Sequence, residues 1–160
     1  MLSRKGVKLR KVKIYLADLT HVGNGVATEA FPLNIGLLGS YAKKFFNTDV
    51  SIKLFKYPNL LMEAIRSEPP DILGCSNYTW NANLSYFVTQ YAKEINKNVI
   101  SIWGGTNYPF DSLNQELFLS KFKDIDIHTF YEGEDAFVNF VERYLSSKSK
   151  KQLFERPIDG

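Results

Sequence analysis

Side chains that could do chemistry gather in four short stretches of this sequence. The richest is Ser76-Asn77-Tyr78-Thr79-Trp80-Asn81, where hydroxyls and amides alternate with aromatic rings. Gly104-Gly105-Thr106 is the second, Glu132-Gly133-Glu134 the third, and Asp18 with His21 the fourth. Neutral hydrogen-bonding groups beside Tyr78, Trp80 and Tyr108 suit a large, flat ligand with amide or phosphate edges. Paired glycines let such a ligand approach the backbone closely, because no Cβ intervenes. Glu132 and Glu134 would receive ligand hydroxyls or amides. Their blander role is favourable charge at a helix N-terminus, worth about 0.3–1 kcal/mol.

Self-sufficient catalysis is not legible. With one cysteine, Cys75, the chain has no internal disulfide, no CxxC pair and no cysteine cluster for zinc or iron–sulfur. Cys75 lies in an apolar run and reads as a small buried filler rather than a nucleophile. His21 falls in a loop, where a turn histidine is the ordinary role and metal ligation or catalysis the alternative. His128 falls inside a strand, which points to core or edge packing. No Ser/His/Asp set, no acid pair with a partner histidine and no zinc-ligand spacing can be assembled.

The elements that must position these stretches alternate strictly. Residues 12–17 read as a strand rich in β-formers, followed by a long loop, 18–32. Residues 33–46 read as a helix with Leu33, Gly36, Leu37, Tyr41 and Phe45 at three- and four-residue steps. Residues 50–55 alternate apolar and polar, as an edge strand does, and Asn59 is placed to cap a helix over 60–67. Its inward residues are Leu61, Ala64 and Ile65. A buried strand over 71–76 empties into the aromatic loop. Asn81 is then positioned to cap a helix whose inner face carries Leu84, Phe87, Val88, Tyr91 and Ile95. A strand over 99–103 follows, then a Ser112/Gln115 capping box opening a helix over 113–122. A strand over 126–131 and a helix marked by Phe137, Phe140, Val141, Tyr144 and Leu145 complete the series.

Five strand–helix alternations without a hairpin signal predict an α/β fold with helices on both faces of a doubly wound, five-stranded parallel sheet. The expected strand order is 2-1-3-4-5. That topology brings the loops 18–32, 76–81, 104–110 and 132–135 to one sheet edge, where open α/β sheets bind ligands. Residues 1–11 read as a basic leader, 12–146 as the domain and 147–160 as a linker towards a further domain.

The totals agree with one soluble domain: 160 residues, 44% hydrophobic and 23% charged. The net charge of +3 comes largely from the two ends, which points to solvated termini and away from a nucleic-acid face. No apolar run approaches the roughly 20 residues of a membrane span. No apolar segment follows the basic start, so a cytoplasmic location is expected.

Three cofactor readings of such a fold fit the loops badly. A dinucleotide site needs G-x-G-x-x-G after the first strand, and Gly23-Asn24-Gly25-Val26-Ala27-Thr28 lacks the third glycine. An FMN site of the flavodoxin kind needs a shorter, hydroxyl-rich phosphate loop. A phosphorylation receiver wants an aspartate where this chain has Ser76.

Four motifs in register carry a resemblance. They are Pro32-Leu33-x-Ile35-Gly36-x-Leu38-x-x-Tyr41, Pro70-Asp71-Ile72-Leu73-Gly74-x-Ser76-x-Tyr78-x-Trp80-Asn81, Trp103-Gly104-Gly105-Thr106-x-x-Pro109 and Glu132-Gly133-Glu134-x-x-Phe137. Together they resemble the N-terminal cobalamin-binding domain of cobalamin-dependent radical S-adenosylmethionine enzymes, over about residues 12–145. The resemblance implies cobalamin held over the C-terminal edge of the sheet, its nucleotide tail threaded into a groove beside it. Ser76, Tyr78, Thr79, Trp80 and Asn81 would contact the corrin or tail. Gly104, Gly105 and Thr106 would lie along the tail, and Glu132, Gly133 and Glu134 would close its far side. Leu33 and Gly36 would shape the first helix against the ligand.

Two departures qualify what the resemblance implies. Cobalamin domains that ligate cobalt through histidine carry Asp-x-His-x-x-Gly, whereas this chain has Asp18-Leu19-Thr20-His21-Val22-Gly23. Base-off cobalamin without a histidine ligand is therefore expected, with His21 the one alternative cobalt ligand. The Cys-x-x-x-Cys-x-x-Cys ligands of a 4Fe–4S cluster are absent, so the cluster, S-adenosylmethionine and any methyl transfer would belong to a radical S-adenosylmethionine domain in cis or on a partner chain. The competing reading is an α/β regulatory or interaction domain without cofactor, or an FMN-binding flavodoxin-like domain.

Overall fold

Side chains that branch at Cβ or carry rings dominate the strand segments, and the strands they form are covered on both faces. The computed structural model describes residues 11–21, 31–129 and 133–158. Strands β1 (Val12–Ala17), β2 (Val50–Phe55), β3 (Ile72–Ser76), β4 (Ile100–Gly104) and β5 (Ile127–Thr129) form one parallel sheet in the order β2-β1-β3-β4-β5. The doubly wound order read from the sequence is the order found. Helices α1 (Leu33–Phe46) and α5 (Gly133–Ser146) pack on one face. Helices α2 (Pro58–Ser67) and α3 (Ala82–Ile95) pack on the other, with α4 (Ser112–Lys121) near the sheet's end.

Alternation along each strand divides the core into two layers. Ile14, Leu16, Ile72, Ile100 and Ile102 meet Phe137, Phe140 and Val141 of α5 and Ile35 and Ala42 of α1. Tyr15, Leu73, Cys75 and Trp103 meet Leu61 and Ile65 of α2 and Val88 and Ala92 of α3. The aromatic-loop strand, β3, is buried along its whole length, and edge strand β2 is not.

The buried faces of α1 and α3 differ from those the apolar spacing predicts. Helix α1 buries Ile35, Gly39 and Ala42, leaving Leu33, Leu37 and Phe45 more than half exposed. A Cβ on Gly39 would lie 3.3–3.5 Å from Leu54, Ile52 and Leu16, so this face is chosen for close approach to the sheet. Helix α3 buries Ala82, Ser85, Val88, Thr89 and Ala92, and exposes Phe87 and Ile95. Its hydroxyls pair internally: Ser85 Oγ donates to the Ser76 carbonyl at 3.1 Å and Thr89 Oγ1 to the Ser85 carbonyl at 2.8 Å. Trp103 Nε1 donates in turn to Thr89 Oγ1 at 3.1 Å. Small satisfied residues let the helix sit low, and the bulky ones stay outside.

Three helix starts also differ. Pro58 occupies the first turn of α2 after Tyr57, so Asn59 is inside the helix and caps nothing. Asp111, not Ser112, caps α4 by accepting from the Asn114 amide, while Gln115 reaches the Pro109 carbonyl instead of closing a capping box. Asn81 precedes α3 without a side-chain cap bond, because its side chain is committed elsewhere. At the other end of the sheet, Asp126 is held by Lys93 at 2.5 Å and Lys150 at 2.8 Å. Burial opposes its charge, yet Lys150, Lys93 and the Ser101 amide keep its carboxyl below the ordinary range. Lys150 belongs to a short helix, α6 (Lys150–Leu153), whose Leu153 is buried in the α1/α5 layer. Among the described residues no helix is long and apolar enough to cross a membrane.

Candidate functional site

Side-chain volume falls away along the α1/α5 face of the sheet as the strands reach their C-terminal ends. Ile72 is succeeded on that face by Gly74 and Ser76, Ile102 by Gly104, and Ile127 by Thr129. Helices α1 and α5 do not follow the sheet inward. A cavity of about 330 Å³ results, floored by Leu16, Ile102 and Phe137 and walled by Asn34, Leu38 and Tyr78. Sites for small molecules run from roughly 300 to 1,000 Å³ and are mainly apolar with few polar groups, so this slot can take one flat ring system and its polar extension.

Glycine brings close contact here as well as space. A Cβ at Gly74 would meet Leu16 Cδ2 at 2.6 Å, and one at Gly104 would meet Thr129 Oγ1 at 2.6 Å. Gly105 has φ +130°, and a Cβ there would lie 2.6 Å from the Asn77 carbonyl oxygen. The two loops at the mouth therefore touch backbone to backbone.

Asn77 locks that contact. It is fully buried and makes bonds in five directions. Its amide donates to the Gly104 carbonyl at 2.7 Å, and its own carbonyl accepts from the Asn107 amide at 3.1 Å. Its Nδ2 donates to the Asn107 carbonyl at 2.7 Å and to His128 Nε2 at 3.0 Å, while its Oδ1 accepts from Asn107 Nδ2 at 3.1 Å. Sequence reading noted Asn77 only as one polar group among several. The signal available was its place directly after a mainly apolar strand, but its partners lie 27–51 residues away.

Because Asn77 Nδ2 can only donate, His128 Nε2 must accept, and the proton sits on Nδ1, 2.8 Å from the Thr129 carbonyl. The ring stacks on Tyr108 at 3.8 Å. Burial lowers its pKa from 6.5 to about 4, against a smaller upward pull from the Thr129 carbonyl. A histidine that stays neutral when folded lets the unfolded chain bind more protons between those values, so stability falls as pH drops from 6.5 towards 4. Nuclear magnetic resonance titration should show His128 neutral with Nδ1 protonated at pH 5; a midpoint near 6.5 would contradict this environment.

The front of the site is built on Asp18. Its Oδ1 accepts from Ser76 Oγ at 2.6 Å and from Asn81 Nδ2 at 3.2 Å. Asn81 Nδ2 also donates to Ser76 Oγ at 3.0 Å, and its Oδ1 accepts from the Tyr78 amide at 2.9 Å. Asn81 thus folds the aromatic loop back on its own strand rather than capping α3. Above it Tyr78 and Trp80 stack at 4.6 Å and 10°, with Trp80 64% exposed. Tyr78 Oη accepts from Asn34 Nδ2 of α1 at 3.0 Å. His21 Nε2 donates to the Trp80 carbonyl at 2.8 Å, since a carbonyl can only accept.

Of the residues the sequence points to, Ser76, Tyr78, Gly104, Gly105, Gly133 and Glu134 line this cavity. Asn81 stands buried behind the wall; Thr79, Trp80 and Thr106 are exposed outside it. Glu132, like Gly23 and Gly25 of the first loop, lies outside the described residues. On α1 the slot is lined by Asn34, Ile35, Leu37 and Leu38 rather than by Leu33 and Gly36. Cys75 is buried with its thiol pushed up to about 12 by desolvation, an inert filler as expected. Among the described residues no three His, Cys, Asp or Glu side chains cluster as metal ligands.

Comparison with known proteins bears on what the slot takes. The family model described as "B12 binding domain" matches residues 21–141. The cobalamin-dependent radical SAM methyltransferase TokK of Streptomyces tokunonensis is 30% identical over 120 residues, 72% of this chain and 17% of that protein. The chain thus spans less than a fifth of the length of this relative. Among solved structures, the pilus assembly protein CpaE from Caulobacter crescentus aligns over 75% of this chain and 87% of its own, with 8% identity and a TM-score of 0.48.

Proposed function

Because the chain belongs to the B12-binding domain family, we propose that it holds cobalamin, with the nucleotide tail in the slot and the corrin outside it on the sheet edge. The observation that carries this reading is the slot itself: an apolar floor, opened by Gly74, Gly104 and Gly105 and hedged by hydroxyl and amide groups. The residues fit the group. An aromatic base with a sugar and phosphate needs a narrow apolar recess with polar edges, and a corrin needs an exposed rim, which Trp80 and Tyr78 supply. When bound, cobalamin supplies a cobalt centre that can carry a methyl group.

The chain's own residues bind and orient. Ser76 and Tyr78 form the front wall with Asn81 behind it, kept in place by Asp18, and the exposed Thr79 and Trp80 meet the corrin. Gly104, Gly105 and Thr106 run along the tail, and Gly133 and Glu134 close its far side. His21 is not a cobalt ligand in this reading: the Asp-x-His-x-x-Gly spacing is absent and its Nε2–H is turned to the Trp80 carbonyl. The cofactor is read as base-off and without a histidine ligand. Cob(II)alamin on this protein should show no nitrogen hyperfine splitting from the protein, and the spectrum should be unchanged in His21→Ala. Splitting that vanishes in that variant would make His21 a ligand.

In a longer protein, or beside a partner chain, the domain serves as the cobalamin module of a radical S-adenosylmethionine methyltransferase. The relative named above supports this; with a single cysteine in this chain, the 4Fe–4S cluster and S-adenosylmethionine would belong to another domain. Mixing the protein with hydroxocobalamin and desalting tests the reading. Retained corrin absorbance is expected; a colourless protein would leave a cofactor-free interaction domain, and affinity for added FMN in its place a flavodoxin-like one.

A further inference from the structure

The far wall of the slot is held from behind by a residue that does not line it. Gly105 can adopt its position only against Asn77, whose backbone occupies the space a Cβ would need. Asn77 has its two Nδ2 protons assigned: one to the Asn107 carbonyl of the same loop, one to His128 Nε2 on β5. His128 is pinned independently, by its Nδ1–H on the Thr129 carbonyl and by a near-parallel stack with Tyr108 (3.8 Å, 8°), which Phe118 of α4 meets edge-on. The next residue, Thr129, is the one a Cβ on Gly104 would strike. β5 therefore touches the loop pair twice.

We propose that His128 is a positioning residue for cofactor binding: by accepting from Asn77, it fixes the separation of the 76–81 and 104–107 loops and so the width of the slot. This rests on the cobalamin reading. Without the imidazole acceptor, Asn77 keeps a buried N–H with no partner, and the empty protein relaxes the loop to satisfy it. Binding must then reverse that relaxation, so the cost enters the dissociation constant. A residue that merely packed the core would lower thermal stability and leave affinity alone.

The test is hydroxocobalamin affinity, by equilibrium dialysis at a temperature well below unfolding, for the protein, His128→Leu and His128→Gln. Glutamine can place its carbonyl oxygen near the Nε2 position and accept from Asn77; leucine cannot. The expected result is roughly ten-fold weaker binding for His128→Leu, with His128→Gln within about three-fold of the parent, whatever their relative melting temperatures. Equal affinity for all three, with the parent retaining cobalamin, overturns the positioning role and leaves the cobalamin reading intact. A parent that retains none overturns both. Should His128→Leu fail to fold, a long-range proton–nitrogen spectrum of the parent decides: Nε2 unprotonated, and shifting when hydroxocobalamin is added, supports the role. Nε2 protonated, or unmoved by cofactor, overturns it.

Discussion

Replacing Gly105 by alanine is expected to abolish retention of hydroxocobalamin and to destabilise the fold by about 1–3 kcal/mol. Two causes add at one position. A φ of +130° is strained for any residue with a Cβ, and that Cβ would sit 2.6 Å from the Asn77 carbonyl oxygen. The obstacle is backbone, so it cannot swing aside as a side-chain terminus would. Either Gly105 abandons its φ or the 104–107 loop separates from Asn77, and both deform the slot wall. Gly36→Ala is the matched control. A Cβ there meets only Phe31, at 3.9 Å, in a helix where alanine is favoured, so stability should hold or rise by about 0.4–1 kcal/mol with binding unchanged. Thermal unfolding and desalting of both variants measure the difference. Normal cobalamin retention by Gly105→Ala would show that the loop contact does not shape the site.

The largest loss of stability is expected from Phe137→Ala. Phe137 is 1% exposed, packs in the α1/α5 layer and forms part of the slot floor. Truncating a buried phenylalanine costs about 3–5 kcal/mol, because the cavity left behind collapses only partly. Collapse should be poorer still beside a pre-existing slot. Set against a typical domain stability of about 5–15 kcal/mol, that loss brings the protein near its limit. Urea denaturation should show a lower midpoint, partly restored by excess hydroxocobalamin, since a ligand bound only to the folded state stabilises it by mass action. A midpoint unchanged by the cofactor in both parent and variant would mean that the folded state does not bind it.

The strand order was readable because β-rich segments alternate with helices and nothing between them signals a hairpin. The strand ends followed from that order, which is why residues as distant as Ser76, Gly104 and Gly133 could be assigned to one edge. Helix faces were less legible. Leu33, Leu37, Phe87 and Ile95 dominate any count of apolar spacing, yet close helix–sheet packing selects Gly39, Ala42, Ser85 and Thr89. Hydroxyls on α3 look polar in sequence and are neutralised only by partners that the fold supplies. Asn81 illustrates the same limit at the site: its type suits a helix cap, but Asp18 and Ser76, brought close by β1 and β3, claim its side chain. Asn77 and His128 were invisible as a pair, being joined across 51 residues by strand β5. The slot is an absence of volume. It depends on Gly74 and Ser76 sharing a face with Gly104, and on Ser76 standing level with Gly104, which register determines and composition does not.

The central claim is that this slot takes the nucleotide tail of cobalamin. The measurement that tests it most directly compares the protein's affinity for hydroxocobalamin with that for cobinamide, which has the corrin but lacks the nucleotide. Burying an aromatic base in an apolar recess contributes several kcal/mol, so cobinamide is predicted to bind at least about 100-fold more weakly. Equal affinity for the two would contradict the account, because the corrin would then bind without the slot.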